Sequence, residues 1–253
     1  MPELDFNSDL GESFGLYHLG NDEAVLPFIT SANVACGFHA GDAHTMRKTV
    51  ALAAELGVAV GAHPGLPDLQ GFGRRVMAIT PDEAYEFVLY QVGALKGFTA
   101  AAGVALHHVK AHGALYNMAA TNKRLADAIC QAVKDIDPAL VLFGLANSAL
   151  TDAAQGLGLA VAHEVFADRT YQQDGTLTPR SQPGAMITDI GPAIEQVLSM
   201  VCEGYAVSMQ GTRVPVTPGT LCIHGDQPGA AGFARAIREA LEREGVTIRR
   251  PRP

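Results

Sequence analysis

Short apolar runs recur along the chain, and each gives way to a longer stretch in which apolar residues return every three to four positions. The short runs at 4–8 (LDFNS), 31–35 (SANVA), 58–62 (VAVGA), 106–110 (LHHVK), 140–144 (LVLFG), 159–163 (LAVAH) and 220–224 (TLCIH) read as strands. Helical periodicity covers 22–29, 43–56, 81–102, 122–135, 148–156, 190–203 and 230–244. Strand–helix alternation predicts an α/β fold with a parallel sheet inside and helices outside. Seven strands predict a barrel one short of eight or slightly open. Thr80, Pro81 and Glu83 form a capping box with proline at the first helical position, and Gly57, Gly103, Gly158, Gly204 and Gly245 stand where helices should stop. The segment 204–216 reads as an inserted β-hairpin turning at Gln210–Gly211.

Composition narrows the class. At 253 residues, 48% hydrophobic and 17% charged, the chain can bury a full core, and 1–253 is expected to form a single barrel domain. A formal charge of -8 argues against general affinity for nucleic acid or anionic membranes. MPELDFNSD lacks the apolar core of a signal peptide, and the longest apolar stretch, 139–146, is too short to span a bilayer. The cysteines at 36, 130, 202 and 222 make no C-x-x-C pair, so free thiols in a reducing cytoplasm are expected.

The candidate chemistry gathers where strands run out into glycine-rich loops. Asp9 and Glu12 follow the first strand, His39 and Asp42 the second, and His63 the third. Lys110 and His112 follow the fourth, Asp168 and Arg169 the sixth, and His224 and Asp226 the seventh. In a barrel these positions share one mouth, which describes an enzyme better than a scaffold. Two long connections, 64–80 and 167–186, bring Arg74, Arg75, Arg169 and Arg180, which suit a carboxylate or phosphate. The plainer alternatives are that the arginines pair with Asp68 or Asp174, that Asp42 caps a helix, and that Cys36 is an inert buried thiol. Asp9, His39 and His63 leave open a two-histidine, one-carboxylate metal site. There is no Walker loop, no G-x-S-x-G elbow and no H-E-x-x-H helix.

The segments FNSDLGESFG, NVACGFHAGD, GAHPGLPDLQGFGRR, VKAHGALYN, EVFADRTYQQDGTLTPRS and CIHGDQP resemble, in this order and over nearly the whole chain, the LamB/YcsF family. Ser8 stands where that family commonly has cysteine, and Ala111 where it commonly has proline. The resemblance implies a distorted TIM-like (β/α) barrel of the glycoside hydrolase/deacetylase type. It also implies one component of an ATP-dependent 5-oxoprolinase, which opens 5-oxo-L-proline to L-glutamate with Mg2+-ATP cleaved to ADP and phosphate. Partner subunits B and C are implied, and a homo-oligomer is compatible. Within that chemistry Lys110, Arg74, Arg75, Arg169 and Arg180 are candidates to meet phosphate, with Asp42 and Asp168 beside them. His39 or His63, held by Asp9 or Glu12, is the candidate base, and His112 or His224, the latter oriented by Asp226, the candidate acid. The alternatives are an ATP-independent, metal-dependent deacetylase or amidohydrolase, and a non-catalytic binding subunit.

Overall fold

The apolar runs fold into seven parallel strands that close on themselves. A computed structural model describes residues 2–224 and 229–252, with His224 described in its backbone alone. In chain order the elements are β1 (Glu3–Leu10), α1 (Asp22–Val25), β2 (Ser31–Ala35), α2 (Ala43–Glu55), β3 (Ala59–His63), α3 (Pro81–Ala101) and β4 (Leu106–Lys110). Then come α4 (Gly113–Thr121), α5 (Lys123–Ile136), β5 (Val141–Leu145), α6 (Ala149–Gly156), β6 (Ala160–Phe166) and α7 (Ile190–Leu198). The last are β7 (Tyr205–Val207), β8 (Arg213–Pro215), β9 (Thr220–His224), α8 (Ala230–Arg243) and β10 (Thr247–Ile248). The barrel runs β1-β2-β3-β4-β5-β6-β9 and is sealed by β9 on β1, while β10 pairs with the first residues of β1. β7 and β8 form the expected antiparallel hairpin outside it.

Strand alternation divides β1 between two environments. Leu4, Phe6 and Leu10 join the large apolar cluster shared with the helices. Asp5, Asn7 and Asp9 enter a polar network inside the barrel. There Asp5 accepts from the hydroxyls of Ser31 and Thr30 at 2.7 Å each and of Thr220 at 2.6 Å. Asn7 donates to Glu164 Oε1 (3.1 Å) and Thr220 Oγ1 (2.6 Å), and Asn33 donates to Asn7 and Asp9 at 2.8 Å each. His108 crosses the same space toward Asn33 and stacks on Phe143, with ring centroids 4.1 Å apart. It fits because Gly61 faces it: a Cβ at that position would collide with the imidazole. Most hydrophobic stabilisation therefore sits between strands and helices, while the barrel interior combines this polar network with a small apolar cluster of Val141, Phe143 and Ala162.

The helix signals hold. Thr80 Oγ1 accepts from Glu83 N, and Glu83 accepts from Thr80 N, completing the box. All five predicted glycine stops are left-handed. The 22–29 helix stops at Val25 and continues only as a 3-10 turn, since Pro27 has no N–H for an α-helical bond. The 190–203 helix loosens into a π turn over Ser199–Glu203 before Gly204. α4 and β10 are additions to the predicted set.

Candidate active site

Asp9 ends β1 at the barrel mouth, and its Oδ1 accepts from Lys110 Nζ at 2.9 Å and from Asn33 at 2.8 Å. Lys110 Nζ also lies 2.8 Å from Glu164 Oε1 and 3.0 Å from Cys222 Sγ. Burial alone would lower the lysine pKa, but Asp9, Cys222 and Glu164 together hold it well above its ordinary value. Lys110 is thus a buried ammonium between two carboxylates, the anionic partners that a lysine at a strand end requires. Glu164, which completes the pair and accepts from Tyr116 OH at 2.7 Å, is a site residue that strand-end position did not predict.

Three imidazoles meet beside this ion pair. The Nδ1 of His63 donates to the carbonyl of Lys110 at 2.8 Å, which leaves Nε2 as the nitrogen that faces the site. That nitrogen lies 3.2 Å from Asp9 Oδ2 and 2.9 Å from His112 Nδ1. His112 is held from the opposite side, its Nε2 donating to the carbonyl of Phe72 at 2.8 Å. His39 lies parallel on His112, centroids 3.7 Å apart and planes at 3°. Its Nε2 is 3.4 Å from Glu12 Oε1, which in turn is 3.7 Å from His112 Nδ1. Burial, then the neighbouring imidazoles, keep His39 and His112 well below the ordinary histidine pKa and therefore neutral.

Glycine makes this crowding possible. A Cβ on Gly65 would meet His39 Nδ1 at 2.6 Å, and one on Gly73 (φ +62°) would meet His39 Cβ at 2.7 Å. The backbone locks the same loops together, with His112 N donating to Pro64 O and Ala114 N to Gly73 O, both at 2.8 Å.

A cavity of about 670 Å³ opens above these groups, with Asp9, His63, Lys110 and His112 at its floor. Arg74, Arg169 and Arg180 stand on its walls. Arg169 is buried, and it donates to the carbonyls of Thr178 (2.6 Å) and Ala185 (3.3 Å), pinning the 167–186 connection over the mouth. Desolvation, with Arg180 adding to it, lowers its pKa to about 10. Arg74 lies over the Phe72 ring, 4.9 Å from its centroid.

Several expectations change. Arg75 does not reach the cavity: Asp68 accepts from its guanidinium and its backbone N–H, a local pairing. Asp42 caps α2, accepting from Thr45 N (2.8 Å) and Gly15 N (2.9 Å), and those bonds lower its pKa. Asp168 is buried and is not part of the cavity lining. Asp9 is tied to Lys110 and Asn33, and among the described residues those whose candidate metal-binding atoms lie within 4.8 Å of one another are Glu12, His39, His63 and His112. Cys36 is the inert thiol, raised to about 12 by burial. The side chain of His224 and all of Asp226 lie outside the described residues.

Comparison with known proteins agrees with the fold and extends across the chain. The model of the LamB/YcsF family matches residues 4–253. A Bordetella pertussis protein, named as the A subunit of 5-oxoprolinase, is 65% identical over 247 residues, 98% of each chain. A Bacillus subtilis protein of the same name is 59% identical over 248 residues, 98% of this chain and 96% of that one. The crystal structure of the lactam utilization protein from Thermus thermophilus superposes with a TM-score of 0.91 at 49% identity, covering 98% of this chain and 99% of that one.

Proposed function

Because this chain belongs to the LamB/YcsF family, we propose that it is the A subunit of an ATP-dependent 5-oxoprolinase. With partner subunits B and C and Mg2+-ATP, it opens the lactam of 5-oxo-L-proline to L-glutamate. The observation that carries the reading onto this molecule is the two-sided cavity, with a carboxylate–imidazole floor facing arginine-bearing walls. Its volume, about 670 Å³, lies in the range of small-molecule sites.

The chemistry asks for both sides. A lactam carbon is a weak electrophile, and phosphoryl transfer from ATP to the lactam oxygen activates it. One water then adds at that carbon and the C–N bond breaks as a proton reaches nitrogen. A second water releases phosphate from the resulting acyl phosphate, leaving glutamate, ADP and phosphate. His63 Nε2, facing Asp9, is suited to accept the proton of water, and His112 to relay one toward the departing nitrogen. Arg74 and Arg180 suit the substrate carboxylate or the transferred phosphoryl group. Dependence on ATP fits an assembly that works in the cytoplasm.

The test is glutamate release from 5-oxoproline and Mg2+-ATP in a host extract that lacks this chain but contains the native B and C subunits. Wild-type protein should restore release and His63→Ala should not, with a loss of at least about 100-fold. Restoration without ATP would move the reading to the metal-dependent amidohydrolase. No restoration by folded wild-type protein would remove the 5-oxoprolinase reading.

A further inference from the structure

We propose that Glu12, His63 and His112 bind a divalent transition-metal ion of the zinc type at the cavity floor. Ring protons decide which nitrogens can do so. A backbone carbonyl can only accept, so the proton of His63 must lie on Nδ1, facing Lys110 O, and that of His112 on Nε2, facing Phe72 O. With one proton on each ring, one lone pair per ring is left, and these two, on His63 Nε2 and His112 Nδ1, point at each other across 2.9 Å. Lone pairs so placed repel unless an electron-pair acceptor joins them. Carbonyls that fix the outer nitrogen of a histidine and present the inner one are the outer shell typical of metal-ligating imidazoles.

Glu12 supplies the third donor. Its Oε1 is 3.7 Å from His112 Nδ1, and all the candidate donor atoms lie within 4.8 Å of one another on fully or nearly fully buried residues. Donors around a tetrahedral ion with bonds of about 2.0–2.1 Å stand roughly 3.3 Å apart, so these side chains need only adjust by tenths of an ångström to about one ångström. His39 behaves differently. It lies parallel to His112, so an ion in the plane of one ring stands outside the plane of the other. Its face braces His112, and it becomes a fourth ligand only by tilting. Three protein donors beside an open cavity match a zinc site with one position left for water or substrate. With an ion bound, activation of water passes from the His63 lone pair to the ion.

The experiment reads metal, not turnover, so its failure leaves the 5-oxoprolinase reading standing. Untagged protein is stripped with a chelator, reloaded with Zn2+, dialysed and analysed for metal by mass spectrometry. Affinity is measured by competition with a chromophoric chelator. One zinc per chain is expected. His63→Gln, His112→Gln and Glu12→Gln should each weaken binding by about 100-fold or more, beyond the roughly 10–100-fold typical of an outer-shell residue. His44→Ala, on the surface, should bind as wild type. Cobalt(II) titration of wild-type protein supplies a second reading that needs no variant: visible d–d bands should saturate at one equivalent. Folded wild-type protein that retains no zinc and gives no cobalt spectrum overturns the proposal and leaves a proton shared between His63 and His112. Stoichiometric binding that survives in folded forms of all three variants, or that is lost in His44→Ala, also overturns it.

Discussion

At the scale of single residues, the barrel interior depends on a few buried charges whose partners are identifiable. Lys110 lies between Asp9 and Glu164, at 2.9 and 2.8 Å. Replacing it by methionine keeps the volume but strands two carboxylates away from water. Lys110→Met should therefore destabilise the fold by about 3–5 kcal/mol. Urea unfolding of both proteins checks the size. Asp5 is the opposite case, because burial, not a cation, sets its pKa. Burial outweighs the hydroxyls of Thr220, Ser31 and Thr30 and raises that pKa from 3.8 to about 6. Between those values the native state holds a proton that the unfolded state has released, so stability falls as pH rises from about 4 to about 6. The shift is worth about 3 kcal/mol. Asp5→Asn should remove that decline, so the variant gains on wild type by about this amount between pH 4 and pH 7 in paired denaturation curves. A constant difference across that range would show that Asp5 does not titrate as its burial implies.

Elements were legible wherever periodicity was clean. The seven barrel strands and the long helices follow from alternation, capping and glycine stops, and their ends move by only a few residues. α4 escaped because it is apolar on most sides, with Ala114, Leu115, Tyr116, Ala119 and Ala120 all buried, so no polar stripe marks it as helical. In the site, strand-end position correctly brought Asp9, His63, Lys110 and His112 to one cavity floor. At Asp42 and at the loop residue Arg75 the plainer alternatives prevailed, a helix cap and a local ion pair with Asp68. Strand-end position missed Glu164 because the predicted strand stopped at His163, whereas β6 runs on to Phe166 and carries Glu164 within it. The carbonyl of Phe72, which sets the His112 tautomer, has no side-chain signal at all. The loop between β3 and α3 supplies that carbonyl, and Gly73 lets it close. Gly73→Ala adds a Cβ 2.7 Å from His39 Cβ and 2.9 Å from His112 Cδ2, in a left-handed conformation. The expected cost is roughly 1–3 kcal/mol in stability, seen as a lower melting midpoint. Because the displaced groups are the imidazoles themselves, turnover should drop further than stability alone explains.

For the whole molecule, the placement of positive charge is the informative feature. The chain carries a formal charge of -8, yet three arginines border the cavity above the barrel mouth. They are not equivalent. Arg169 is buried and committed to the carbonyls of Thr178 and Ala185, so its guanidinium holds the 167–186 connection in place. Arg74 and Arg180 are exposed and nearer to solvent at the cavity wall, where they can meet an incoming anion. The two kinds should separate kinetically in the assembled enzyme. Arg74→Ala and Arg180→Ala remove ground-state attraction and should raise KM for 5-oxoproline or ATP by roughly 10- to 100-fold with kcat largely kept. Higher salt should erode the wild-type advantage, because exposed charge pairs are screened. Arg169→Met should instead lower kcat and raise KM together, since the connection over the mouth loses its anchor. It should also increase proteolytic nicking within 167–186. Equal KM in wild type and both exposed-arginine variants would place the anion elsewhere, on one of the partners. If only the KM for ATP changes, these arginines serve the phosphoryl group, and the substrate carboxylate is left to another contact.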